Sequence, residues 1–161
     1  MKILEIFGMV DCKSMSTPME LNFKKLGGNV DGPMLENLTE YRQLVGALMF
    51  LVNTRPDICF AVNTLSQHMV EPHHTHWVGA KNMLRYLRGT INHRLRYPIR
   101  SLRCHGYTDA DWAGSVVDRK STSGCCFTLG SASISCLSRK QNSVALSIVE
   151  AEIHCNKYGL F

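Results

Sequence analysis

Tyr107-Thr108-Asp109-Ala110-Asp111-Trp112-Ala113-Gly114, then Arg119-Lys120-Ser121-Thr122-Ser123-Gly124, then Glu150-Ala151-Glu152 are the stretches that decide the fold. From Leu102 onward apolar and polar residues alternate in short runs, which predicts three strands over 103–108, 124–129 and 133–138, separated by turn-rich segments. Residues 143–157 then predict a helix. The order is β-β-β-α, an antiparallel ribbon with a helix on one face, and the class is α+β. One carboxylate, Asp109, falls on the first strand and another, Glu152, on the closing helix.

Working outward, residues 39–90 predict three consecutive helices. Thr39 is a suitable N-cap, and Tyr41, Leu44, Val45, Leu48 and Val52 recur at helical spacing. Arg55-Pro56-Asp57 punctuates, with Pro56 suited to a first helical turn. Ile58, Ala61, Val62, Leu65 and Met69 line one face of the second helix, which Glu71-Pro72 ends. The third starts near Thr75, presents Trp77, Ala80, Leu84 and Leu87 inward and stops at Gly89. Residues 1–38 predict a short helical stub, an extended segment through Ser16-Thr17-Pro18-Met19 and a Gly-rich loop. The implied organisation is a helical segment over 1–101 and a mixed unit over 102–161.

Composition narrows the class further. The 161 residues fit one ordinary domain or two small ones, and a 45% apolar fraction supports a packed core over wholesale disorder. The net charge of +5 mildly favours an anionic partner. Seven cysteines at irregular spacing leave at least one unpaired, and several fall at apolar positions, which suits a reducing compartment. No C-x-x-C pair occurs, so a structural zinc site is not expected. The apolar run at the N-terminus is interrupted by Glu5 and lacks a small-residue cleavage site, so it reads as a helix and not a signal peptide, with an intracellular location expected. No apolar stretch is long enough to span a membrane.

Several further motifs appear in a fixed order: Phe7-Gly8-Met9-Val10-Asp11-Cys12-Lys13 with Ser16-Thr17-Pro18-Met19, Tyr41-Arg42-Gln43-Leu44-Val45-Gly46-Ala47-Leu48-Met49, and Thr54-Arg55-Pro56-Asp57-Ile58. His76-Trp77, Leu84-Arg85-Tyr86-Leu87-Arg88-Gly89-Thr90 and the 108–114 segment follow. In this order they resemble the Pol polyprotein of copia-type (Ty1/copia) retrotransposons, from about Phe7 to Glu152. The resemblance implies the end of the reverse transcriptase, its thumb and connection region, running into a truncated ribonuclease-H-like β-β-β-α unit. The family's polymerase aspartate pair has no counterpart, because no two aspartates are adjacent here. Ribonuclease H of that family holds two divalent cations with four carboxylates. Carried over by motif, Asp109 and Glu152 are the first two ligands, while Asp111 and Glu150 are neighbours, either solvated or structural. With the other two lacking, Asp109 and Glu152 are expected to be relic positions in a chain that is no enzyme and binds no metal or other cofactor.

Lys81, Arg85 and Arg88 form a basic stripe on the third helix, where the resemblance implies weak nucleic-acid binding, although an ordinary solvated face is the plainer reading. His73, His74 and His76 lack metal-ligand spacing and read as a loop preceding that helix. Arg85-Tyr86-Leu87-Arg88 and Arg100-Ser101-Leu102-Arg103 both match R-x-L-R, and fragments of this kind resemble proteins described as secreted RxLR effectors of plant-pathogenic oomycetes. That alternative implies secretion, entry into the nucleus or cytoplasm of a host cell, an unidentified host protein target and suppression of host defence.

Overall fold

The computed structural model describes residues 2–20, 33–97 and 103–157. The Gly-rich loop and residues 100–102 of the second R-x-L-R tetrapeptide lie outside the described residues. The architecture is α+β, five α-helices and a three-stranded antiparallel sheet among the described residues. It divides into two compact units: Met1–Val52 with Phe60–His93, and Asn53–Cys59 with Arg94–Phe161.

The first unit is helical: α1 (Lys2–Ile6), α2 (Leu38–Leu51), α3 (Cys59–Ser66, of which Phe60 onward belongs here) and α4 (His74–Gly89). The cap of α2 is Asn37 and not Thr39. Its side chain accepts the Glu40 N–H at 3.1 Å and donates back to the Glu40 carboxylate at 3.3 Å. Two reciprocal bonds from one amide outcompete a threonine hydroxyl two residues later. Tyr41, Leu44, Val45 and Leu48 are all 0% exposed, a stripe of i, i+3, i+4, i+7. The Tyr41 hydroxyl donates to the Leu65 carbonyl at 2.8 Å, satisfying an acceptor at the end of α3, and burial pushes its phenol well up.

On α4 Ala80, Leu84 and Leu87 face inward as expected, but His76 takes the place expected for Trp77. His76 is 1% exposed and packs with Ala80, Met83, Leu84 and Leu87, whereas Trp77 is only half-buried. The histidines are not a preceding loop: His73 caps the helix and His74 opens it. Gly89 ends α4 as expected, and its hydrogen is needed for a close approach. A Cβ there would lie 3.0 Å from the Ser14 Cβ and 3.3 Å from the Met15 carbonyl.

The second unit holds β1 (Cys104–Ala110), β2 (Thr122–Leu129), β3 (Ala132–Lys140) and α5 (Ile148–Asn156), with strand order β1-β2-β3. A 3-10 turn at Pro56–Ile58 packs beside β3, and the Arg55 guanidinium is held by a two-pronged pair with Asp57. The core under α5 is built from small side chains, Ala110, Cys125, Ala145, Ala151 and Cys155, with Phe127 at its edge. Gly106 faces the Phe127 ring, where a Cβ would come within 2.9 Å of Cε1. Helix α5 starts later than residue 143, because Ser147 caps it by accepting the Glu150 N–H at 3.1 Å.

Candidate functional site

The site that can be assembled from the expected residues is the seam between α5 and β1. The Ser147 cap sets the start of the helix, and Glu150 in turn accepts the N–H of Leu146, the residue before the cap, at 2.7 Å. Glu150 is therefore a cap. From that start, Ala151 and Cys155 turn into the sheet at i, i+4, and the Cys155 thiol donates to the carbonyls of Asp109 at 3.0 Å and Gly124 at 3.4 Å.

Glu152 and Asn156, again four apart, lie one step further round and follow β1. The Glu152 carboxylate accepts the Ala110 N–H at 3.3 Å, and the Asn156 side-chain Oδ1 accepts the Thr108 hydroxyl at 2.8 Å. The Asp111 N–H points to Thr122 on β2, so strand alternation turns the Ala110 N–H to the opposite edge of β1. Glu152 thus satisfies a backbone donor that β2 does not.

Asp109 is exposed and adjoins this seam in sequence. Thr108 and Ala110 face α5, so the two-residue period puts Asp109 on the other face with Tyr107. Glu152 reaches the backbone next to Asp109 but not its side chain, and no hydrogen bond among the described residues joins the two carboxylates. Asp111 is structural. Its carboxylate accepts the Thr122 N–H and closes the turn after β1, and a Cβ on Gly114 would collide with it.

Sequence reasoning passed over Gln141 and Trp112. Gln141 is 4% exposed, and its amide donates to the Ser123 hydroxyl and the Ala151 carbonyl, both at 2.9 Å, tying β2 to α5. The Trp112 indole N–H donates to the Ala145 carbonyl at 3.1 Å. A lone glutamine just after a strand carries no local signal for such a role.

The basic stripe lies in the helical unit. Arg85 Nε donates to the Lys13 carbonyl at 2.8 Å, and Arg88 Nε to the Val10 carbonyl at 2.6 Å. Met15 N–H returns a bond to the Arg85 carbonyl at 3.2 Å, so the two arginines strap the N-terminal segment to α4. Lys81 Nζ sits 5.0 Å from the Trp77 ring centroid. Each guanidinium keeps other N–H donors beyond the one named. The same helix contains Arg85-Tyr86-Leu87-Arg88, whose Tyr86 and Leu87 are 8% and 0% exposed.

Of His73, His74 and His76, His74 is exposed, while the other two pack together with His68. His68 stacks on His76 with ring centroids 3.8 Å apart, and His73 meets His76 edge-on at 5.9 Å. The His76 Nδ1 accepts the His73 N–H at 2.9 Å. Burial, followed by the neighbouring charges of His68 and His73, lowers His76 to about 4.

The chain is 43% identical over 145 residues to the Retrovirus-related Pol polyprotein from transposon RE2 of Arabidopsis thaliana, covering 89% of this chain and 10% of that protein. It is 41% identical over 152 residues to the uncharacterized mitochondrial protein AtMg00810 of the same plant, covering 94% of this chain and 62% of that protein. It is also 46% identical over 114 residues to Secreted RxLR effector protein 161 of Plasmopara viticola, covering 70% of this chain and 80% of that protein. The chain belongs to the copia-type retrotransposon Pol family. It spans about a tenth of the length of the Pol polyprotein it matches. No family model and no solved structure matches it.

Proposed function

We propose that the chain is a non-enzymatic, transposon-derived module. In this reading the helical unit corresponds to the thumb and connection of reverse transcriptase, and the sheet unit to part of a ribonuclease-H-like domain. The observation that carries it is the α5–β1 seam, where Glu152 is held on the Ala110 N–H one residue from Asp109. Two carboxylates are half of what a two-cation clamp uses to activate water and stabilise the leaving oxygen. These residues alone therefore leave a phosphodiester uncleaved. The test is incubation of the chain with an RNA–DNA hybrid and Mg²⁺ or Mn²⁺. Cleavage that disappears in Asp109→Asn or Glu152→Gln would overturn the proposal.

Surviving activity is weak, salt-dependent binding of nucleic acid through Lys81, Arg85 and Arg88, within the cell that makes the chain. Three phosphate contacts set a slope of about −2.7 in log K against log salt. Changing all three residues to Gln abolishes that slope if the stripe is the site. An unchanged slope removes the stripe.

The similarity to Secreted RxLR effector protein 161 over 80% of that protein supports a second reading, a secreted suppressor of plant defence acting on a host protein. Expression of the tagged chain in leaf cells challenged with a cell-death elicitor separates the two. Suppressed necrosis with a discrete nuclear or cytoplasmic signal supports the effector reading, and unchanged necrosis removes it.

A further inference from the structure

The face of the sheet turned away from α5 carries a group of thiols with no part in the readings above. Cys126 and Cys136 are directly opposed in the β2–β3 register, and their sulfurs approach to 3.1 Å. The Ser133 hydroxyl lies 3.5 Å from the Cys126 sulfur and 3.2 Å from the Cys136 sulfur. Cys59 completes the group, its thiol donating to the Cys136 carbonyl at 3.6 Å.

Directly opposed residues of antiparallel strands have Cα atoms about 4.5–5.5 Å apart. A disulfide spans about 4.4–6.8 Å, so bond formation asks for no strand movement, only side-chain rotation that brings the sulfurs to about 2.0 Å. Both thiols are half-buried, which leaves them within reach of a small reagent. The other close thiols, Cys125 and Cys155, are buried beneath α5.

We infer that Cys126 and Cys136 form a modification site, a dithiol that closes into a cross-strand disulfide by exchange with a small-molecule disulfide of the glutathione class. Cys126 loses its proton to solvent and its thiolate attacks one sulfur of oxidised glutathione. That S–S bond breaks, and one glutathione leaves as a thiolate that takes up a proton. Cys136, deprotonated in turn, attacks the Cys126 sulfur of the mixed disulfide and releases the second glutathione. The protein dithiol is oxidised by two electrons, and the glutathione disulfide is reduced to two thiols. Burial pushes the Cys136 thiol up to about 11, so the closing step accelerates with pH. The product clamps the β2–β3 hairpin next to the irregularity between Phe127 and Thr128.

The test uses the full chain under native conditions with oxidised glutathione, followed by alkylation and non-reducing mass mapping. Trypsin leaves Cys125, Cys126 and Cys136 on one peptide, so chymotryptic cleavage after Phe127 and Leu129 is needed to separate them. The expected result is loss of two of the seven free thiols, a peptide link to Cys136 that persists in Cys125→Ser, and its loss in Cys126→Ser. Mapping of the unsubstituted chain decides the matter even if a variant misfolds. A link between any other pair, a glutathione adduct that never resolves, or a full complement of alkylated thiols each overturns the inference.

Discussion

His76→Gln separates acid sensitivity from helix capping in the helical unit. His76 occupies the third position of α4, buried, with its Nδ1 accepting the His73 N–H at 2.9 Å. An accepting Nδ1 carries no proton, so charging this ring breaks the cap and leaves a cation between two other imidazoles. Burial first, then the charges of His68 and His73, lower its pKa from 6.5 to about 4. As pH drops below 6.5 the unfolded chain binds a proton here and the folded chain does not. The stability contribution is therefore complete above 6.5 and is lost progressively down to about 4. The displacement corresponds to about 3 kcal/mol. Glutamine at the same position can accept the His73 N–H and does not titrate. Urea melts near neutral pH and near pH 4, read by Trp77 fluorescence in a Trp112→Phe background, measure the difference, since Trp77 is the only tryptophan of that unit. The parent chain should lose about 3 kcal/mol more than the Gln variant across this interval. Equal losses would refute the assignment of the acid sensitivity to His76.

Three further outcomes bear on the sheet unit. Gly114→Ala puts a methyl where the Asp111 carboxylate receives the Thr122 N–H, and loss of that bond costs about 1–3 kcal/mol, measurable by Trp112 fluorescence in urea. Gln141→Ala removes two buried hydrogen bonds between β2 and α5 and should cost about 2–3 kcal/mol, with faster amide exchange in α5. The Asp118 carboxyl is held down at about 2: burial alone would raise it, but hydrogen bonds from Ser115, Lys140 and the Lys120 N–H, with the Lys140 charge, outweigh that. Its contribution is complete above the unfolded value of 3.8 and disappears as pH falls toward 2, so Asp118→Asn should flatten the acid limb of the stability curve over that window. The effect is small, because the Asp118 side chain is 37% exposed and solvent screens the pair.

The alternation over 103–140 and the helical stripes over 41–87 suffice to read the α+β class and the order of elements from residues alone. Both signals come from side chains within one or two turns of each other, and their period survives whatever packs against them. Residue-level placement was legible only where the deciding neighbour is close in sequence. The stop at Gly89 could be read in this way, whereas Asp111 and Glu150 stayed open between solvated and structural until their backbone partners were seen. The cap at Asn37 was local too, but its advantage over Thr39 lies in a reciprocal bond that propensity does not register.

What tertiary structure alone decided involves partners far apart in the chain. His76 is buried and Trp77 only half-buried because the histidine stacks on His68, eight residues upstream across a turn. Arg85 and Arg88 match a phosphate-binding stripe in one dimension, yet in three they strap carbonyls more than seventy residues away. Glu152 sits at β1 because Ser147 sets the start of its helix and Ala151 and Cys155 fix its rotation on the sheet. The sequence by itself determined which elements form and where the carboxylates fall along them. Which side chains those groups meet follows from how the faces pack, because a hydrogen bond depends on distance in space and is indifferent to separation along the chain.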